Sequence, residues 1–224
     1  MTDFTSAPLP PIAHRPTLAR PRFFYFDLGN VLLKFDHYLA ARQMAEVAGV
    51  SEQLVWDTVF GTDLELRYEA GELNDNEFYE LFCRATDSRP DMQALLLAGS
   101  KIFTPNTSIY PIVGGLVAAG YRLGILSNTC PGHWSYCYGG QYTLLNKGFE
   151  VYALSYELGA CKPSAKIFEG AAKLTGCRPE EIFFVDDIAG HVAGAKAAGF
   201  DAVQYTTTAQ LAADLHERGV RFNY

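Results

Sequence analysis

The chain has 224 residues, 49% of them hydrophobic and 19% charged, which suits a single large globular unit or a core with a smaller insert and excludes a disordered chain. A formal net charge of −7 speaks against nucleic acid or an anionic membrane as the main partner. No apolar run approaches the length of a membrane span.

The first 22 residues hold four prolines besides Pro21 and three arginines, without an apolar stretch of signal-peptide type. Residues 1–21 are expected to form a flexible tail outside the fold. An apolar strand is expected over 22–26, ending at a lone carboxylate, Asp27, with Gly29 two places on and Asn30 after it. Residues 37–100 contain no convincing strand. They carry two helix starts of capping-box form, Thr62-Asp-Leu-Glu65 and Asn74-Asp-Asn-Glu77, and apolar residues at helical spacing: Leu64, Tyr68, Phe78, Leu81 and Phe82. The simplest reading is an all-helical cap over 37–100, inserted where Asp27 emerges and able to govern access of water and substrate.

Beyond it, 106–119 reads as a helix with Pro111 tolerable near its first turn. Strands are expected at 121–126, 181–185 and 201–204, with a short one at 151–155. Each is flanked by helical patterns rather than hairpin turns. The fold class is therefore α/β, a parallel sheet with crossover helices, built from 22–36 and 101–224 around the cap. The five cysteines form no C-x-x-C pair and fit a reduced, cytoplasmic protein. Whether the chain is a monomer or a homodimer stays open.

Four polar clusters adjoin the expected strands: Asp27 with Gly29 and Asn30, Ser127-Asn128-Thr129, Lys162-Pro163, and Asp186-Asp187. Neighbouring strands would bring them into one pocket. Three carboxylates packed together repel unless a hard cation sits among them, and Mg²⁺ is the obvious one. The ammonium and hydroxyl then suit an anion with several oxygens, such as phosphate. A metal, a cation and one carboxylate placed to attack describe phosphoryl transfer through an aspartyl-phosphate. His133 and Trp134 lie near the expected pocket mouth, Arg67, Tyr68 and Glu69 are the cap residues that could touch substrate, and Cys161 is a candidate site of oxidative inhibition. His191 reads as a helix-face residue.

The order Asp-Leu-Gly-Asn-Val, Leu-Ser-Asn-Thr, Lys-Pro-Ser-Ala-Lys-Ile-Phe and Phe-Val-Asp-Asp resembles the haloacid dehalogenase-like (HAD) hydrolase superfamily, over about residues 22–205. More narrowly it is similar to the branch of glucose-1-phosphate phosphatases and soluble epoxide hydrolase N-terminal phosphatases. The resemblance implies a Rossmann-like core with a helical cap, Asp27 as nucleophile and metal ligand, Ser127 and Asn128 as holders of phosphate oxygens, and Lys162 as the charge neutraliser. It makes Asp186 and Asp187 metal ligands, with Gly29 giving a backbone carbonyl to the same Mg²⁺. Most phosphatases of the family carry an aspartate general acid and base where this chain has Gly29. The expected activity is a Mg²⁺-dependent phosphatase acting on a small phosphorylated metabolite, with a bias towards leaving groups that depart unaided, such as sugar 1-phosphates. The alternatives are an impaired member that binds phosphorylated ligands or acts through its cap, and, against the weight of Asp186-Asp187, a 2-haloacid dehalogenase.

Overall fold

The computed structural model describes residues 20–223. Seven strands run in chain order as β1 (Phe23–Phe26), β2 (Leu33–Lys34), β3 (Thr104–Pro105), β4 (Arg122–Ser127), β5 (Val151–Leu154), β6 (Ile182–Asp186) and β7 (Asp201–Gln204). Five of them form one parallel sheet in the order β5-β4-β1-β6-β7. The middle strand, Phe-Phe-Tyr-Phe, is buried on both faces, and this explains why it reads as an unbroken apolar run rather than an alternation.

Its two faces pack against different helices. Phe24 and Phe26 meet Ile112, Val113 and Leu116 of α6 (Tyr110–Ala118) and Leu211 and Leu215 of α12 (Thr208–Glu217). Phe23 and Tyr25 meet Ile167, Phe168 and Ala171 of α10 (Ala165–Thr175) and Ala195 of α11 (Ala189–Ala197). The Tyr25 hydroxyl, buried in that second layer, donates to the Ala171 carbonyl at 3.0 Å, so the polar tip is satisfied.

Between β2 and β3 lie five helices: α1 (His37–Ala48), α2 (Glu52–Val59), α3 (Leu64–Glu69), α4 (Asp75–Thr86) and α5 (Met92–Ser100). They share a core of their own around Ala41, Val55, Phe78, Phe82 and Leu95. The insert's two ends are joined by the antiparallel pair β2–β3, with Leu33 opposite Pro105, a contact too short to leave a sequence pattern. Three further short helices, α7 (Pro131–Tyr138), α8 (Thr143–Lys147) and α9 (Ser155–Leu158), complete the connections on either side of β5.

Some local expectations change. Asn74 and Glu77 form the reciprocal capping box, with Asn74 Oδ1 accepting from Glu77 N at 3.0 Å and Glu77 Oε2 accepting from Asn74 N at 2.9 Å. The Thr62–Glu65 box does not form, because the Thr62 hydroxyl donates at 2.7 Å to Thr58 O in the preceding helix and Asp63 takes the cap position without a side-chain bond. The helix expected over 106–119 begins as a 3-10 turn, Thr107–Ile109, and becomes α-helical from Tyr110, with Pro111 in the first turn. Of the expected tail, only Arg20 and Pro21 lie inside the described residues; Arg20 donates to the Tyr121 hydroxyl and its guanidinium lies over the same ring.

The insert touches the core closely at Gly71, just past α3. Its φ of +73° lies in the left-handed region, and a Cβ there would meet Tyr156 O at 2.2 Å. Gly71→Ala is expected to lower stability by about 1–3 kcal/mol from backbone strain alone, with the clash adding to it. A urea titration of the variant against the parent protein measures the loss, and an unchanged midpoint would contradict this packing.

Candidate active site

The register of the sheet decides where chemistry collects. Phe26 stands opposite Ile125 of β4 on one side and Val185 of β6 on the other. The next residue in each strand therefore emerges at the same level, and the Asp27 amide still donates to Val185 O at 2.9 Å. From β1 the chain continues outward through β4 and β5 on one flank and through β6 and β7 on the other, so β1 marks the crevice where open α/β sheets bind ligands.

In that crevice the Lys162 ammonium is buried and donates three hydrogen bonds: to Asp27 Oδ1 at 2.7 Å, to Asp186 Oδ2 at 2.6 Å and to Leu126 O at 3.1 Å. Burial works against its charge, but Asp27 and Asp186 outweigh that and hold its pKa above the ordinary lysine value. Burial pushes the Asp27 carboxyl upward, against the pull of Lys162 and with repulsion from Asp186. Asp186 is held low: burial opposes ionisation, but His191 and Lys162 overcome it. His191 Nδ1 lies 3.1 Å from both Asp186 oxygens, and Asp186 Oδ1 also accepts from the Ile188 amide at 2.8 Å. His191 is thus a site residue rather than a plain helix-face one. Its position five residues beyond the acid, on the first turn of α11, is the signal that could have revealed it.

Asp187 is fixed differently. Its Oδ2 accepts from Asn30 Nδ2 at 3.1 Å, and its carbonyl accepts from Gln204 Nε2 at 2.8 Å. Asn30 adopts the left-handed region, φ 53°, in the tight turn after β1. Carboxylate oxygens of Asp27, Asp186 and Asp187 lie within 4.8 Å of one another. Against the single ammonium these acids leave an excess of negative charge, and all the donors are hard oxygens, which fits a small divalent cation. The Gly29 carbonyl accepts from Val31 N at 2.7 Å and keeps a second lone pair on the same oxygen.

Ser127 and Thr129 are buried at the end of β4, and the Ser127 hydroxyl donates to Asn128 O at 3.1 Å. The Asn128 side chain is fully used in holding the lysine loop: Oδ1 accepts from Lys162 N at 2.7 Å and Nδ2 donates to Lys162 O at 3.1 Å. A direct phosphate contact expected of Asn128 thus falls to its main-chain N–H. Lys162, with all three protons engaged, acts on an anion through its charge.

The cleft above these groups is lined by Gly29, Phe35, Glu69, Ser127, Asn128 and His133. Where a side chain at position 29 would begin, the Phe35 ring stands: a Cβ there would lie 2.8 Å from Phe35 Cε1. Beside this cleft, and sharing His133 with it, is an apolar hollow bordered by Met44, Val59, Phe78 and Leu95. His133 is pushed down to about 4, chiefly by burial and then by His37. Tyr68 is buried, stacks on Phe78 and donates to Asp75, and Arg67 pairs with Glu72 at 3.5 Å; Trp134 packs between Tyr138 and Tyr152 rather than into the cleft. Burial raises the Cys161 thiol above its ordinary pKa, which is the opposite of what an oxidant-sensitive thiolate needs.

A family model described as haloacid dehalogenase-like hydrolase matches residues 22–199. The chain is 26% identical over 187 residues to a D-ribitol-5-phosphate phosphatase of Bacteroides thetaiotaomicron, covering 80% of this chain and 89% of that one. Among solved structures it is similar to a HAD family enzyme of the same organism in its magnesium complex, with TM-score 0.72 and 22% identity over 84% of this chain and 94% of the other. It is also similar to a predicted HAD-like family hydrolase from Porphyromonas gingivalis, with TM-score 0.70 and 24% identity over 83% and 91% of the two chains. With a family model spanning nearly all the described residues, and with the four polar clusters meeting at the carboxyl ends of β1, β4 and β6, the chain belongs to the haloacid dehalogenase-like hydrolases.

Proposed function

We propose that the protein is a Mg²⁺-dependent phosphatase of a small phosphorylated metabolite, working through an aspartyl-phosphate on Asp27. The observation that carries this reading is the buried Lys162 bridging Asp27 and Asp186 beside Asp187, at the floor of a polar cleft. Asp27, Asp186 and Asp187, with the Gly29 carbonyl, are the residues that would hold Mg²⁺. Bound there, the ion would supply positive charge against the phosphoryl oxygens and the nucleophile's own negative charge.

The protein's residues do the rest. Asp27 attacks phosphorus, the ester P–O bond breaks, and the phosphoryl group passes to the carboxylate. Lys162 keeps Asp27 ionised at the moment of attack and offsets charge on the transferring group. The Ser127 hydroxyl and the Asn128 main-chain N–H are placed to donate to phosphate oxygens. Water then attacks the aspartyl-phosphate, releasing inorganic phosphate. Three supports extend beyond this chain: the family match, a relative named for D-ribitol 5-phosphate, and a similar enzyme structure, of TM-score 0.69 and 22% identity, in complex with magnesium and inorganic phosphate. The substrate class that follows is a small sugar or sugar-alcohol phosphate. If position 29 were the whole source of protons, esters whose alcohol departs unaided, sugar 1-phosphates among them, would be favoured.

Asp27→Asn is expected to lower turnover by roughly 10³-fold or more while the variant still folds, because the nucleophile is lost with little change of shape. Steady-state assays over a panel of sugar phosphates and aryl phosphates measure this, and activity surviving the substitution would remove Asp27 from its role. Chelation of divalent ions should abolish turnover, and added Mg²⁺ should restore it; turnover indifferent to chelator would contradict the assignment of the acidic cluster. Asn128→Ala removes two hydrogen bonds that fix the Lys162 backbone and should cost about 1–3 kcal/mol in kcat/KM. Unchanged kinetics in that variant would show that the lysine loop is held by other means.

A further inference from the structure

We propose that Glu69, the last residue of α3, is the general acid and base that position 29 cannot supply. The inference rests on the phosphatase reading above and adds a catalytic residue to it, contributed by the helical insert.

The first support is placement. Glu69 lines the cleft together with Gly29, Ser127 and Asn128. Its main chain is tied to the phosphate-facing loop through one buried hydroxyl. Ser155 Oγ donates to Glu69 O at 2.6 Å, accepts from the Thr129 amide at 2.9 Å, and lies 3.0 Å from Thr129 O. Two residues on, Gly71 presses against the Tyr156 carbonyl. The end of α3 is thus held against the core at two points.

The second support is electrostatic. Burial lifts the Glu69 carboxyl to about 7; Lys162 and His191 pull it down and Asp27 pushes it up. A carboxyl that responds to those three groups stands in the field of the reaction centre, and an acid near neutrality can both give and take a proton.

The other titratable groups around the cleft are poorly suited to the task. The place beside Gly29 is taken by Phe35. His133 is held down to about 4 and is neutral at neutral pH. Glu65, one turn before Glu69, faces His37 Nε2 at 3.5 Å and borders the apolar hollow rather than the cleft. Lys162 has all three protons engaged.

In the first half of the reaction an Asp27 oxygen bonds to phosphorus, the ester P–O bond breaks, and the Glu69 carboxylic acid gives its proton to the departing alkoxide, which leaves as the alcohol. In the second half the Glu69 carboxylate takes a proton from the attacking water, the bond between phosphorus and Asp27 breaks, and inorganic phosphate leaves. Both carboxyl groups return to their starting states.

The test is Glu69→Gln, compared with the parent protein and with Asp27→Asn, on a primary alkyl phosphate and on 4-nitrophenyl phosphate. The parent protein should hydrolyse both esters. Glu69→Gln should lose roughly 10²–10⁴ in kcat/KM on the alkyl ester while staying within roughly tenfold on the aryl ester, whose leaving group needs no proton. Fed the aryl ester and quenched, Glu69→Gln should also carry more hydroxylamine-labile phosphate than the parent, and Asp27→Asn none. Equal losses on both esters, no loss on either, or no build-up of phosphoenzyme would overturn the role of Glu69 and leave the phosphatase reading standing. A parent protein as inactive as Asp27→Asn on both esters would overturn the two together.

Discussion

One buried ammonium organises this molecule's chemistry. Lys162 donates to Asp27, Asp186 and the Leu126 carbonyl, and thereby joins the ends of the three central strands, β4, β1 and β6, at a single atom. Two acids this deeply buried would be costly without it, since an unpaired charge in a closed interior pays the full penalty of leaving water. With it, one acid stays ionised for attack, and the remaining negative charge makes a place for a divalent cation. The lysine in turn depends on Asn128, which clamps its backbone from both sides. The residues around the crevice are therefore coupled parts, in which loss of one leaves its partners as buried, uncompensated charges.

Much of this was legible in the sequence because it obeys local rules. The strand ends could be read because a parallel sheet buried on both faces needs continuous apolar runs, and each run stops at polar residues with no reason to be there for folding alone. Asn74 and Glu77 could be read as a helix start because their bonds span three residues. Thr62 misled for the same reason in reverse: the hydroxyl had a carbonyl available in the helix before it, at Thr58, and took that instead. The 3-10 turn ahead of α6 is the usual fine structure of a helix start that pattern alone does not resolve.

What could not be read is what depends on tertiary approach. Phe35 beside Gly29, Glu69 above the cleft, and Ser155 binding both Glu69 and Thr129 each involve segments far apart in the chain, brought together only by docking of the insert. His191 lies between these cases. Its separation from Asp186 is short, but the contact depends on the angle at which α11 leaves β6. The residues that give identity to the family lie at strand ends, where sequence speaks. Those that distinguish this member lie where the insert meets the core.

The Phe35 ring has a consequence for how this site can change over time. A carboxylate at position 29 would have to displace an aromatic side chain that itself leans on His37 and Phe103. Substitutions at 29 and 35 should therefore be epistatic, each disfavoured in the other's absence. A lineage carrying this pair is held in its present form by neighbouring shape as well as by selection on chemistry, because no single step at position 29 regains the acid without disturbing the wall of the cleft.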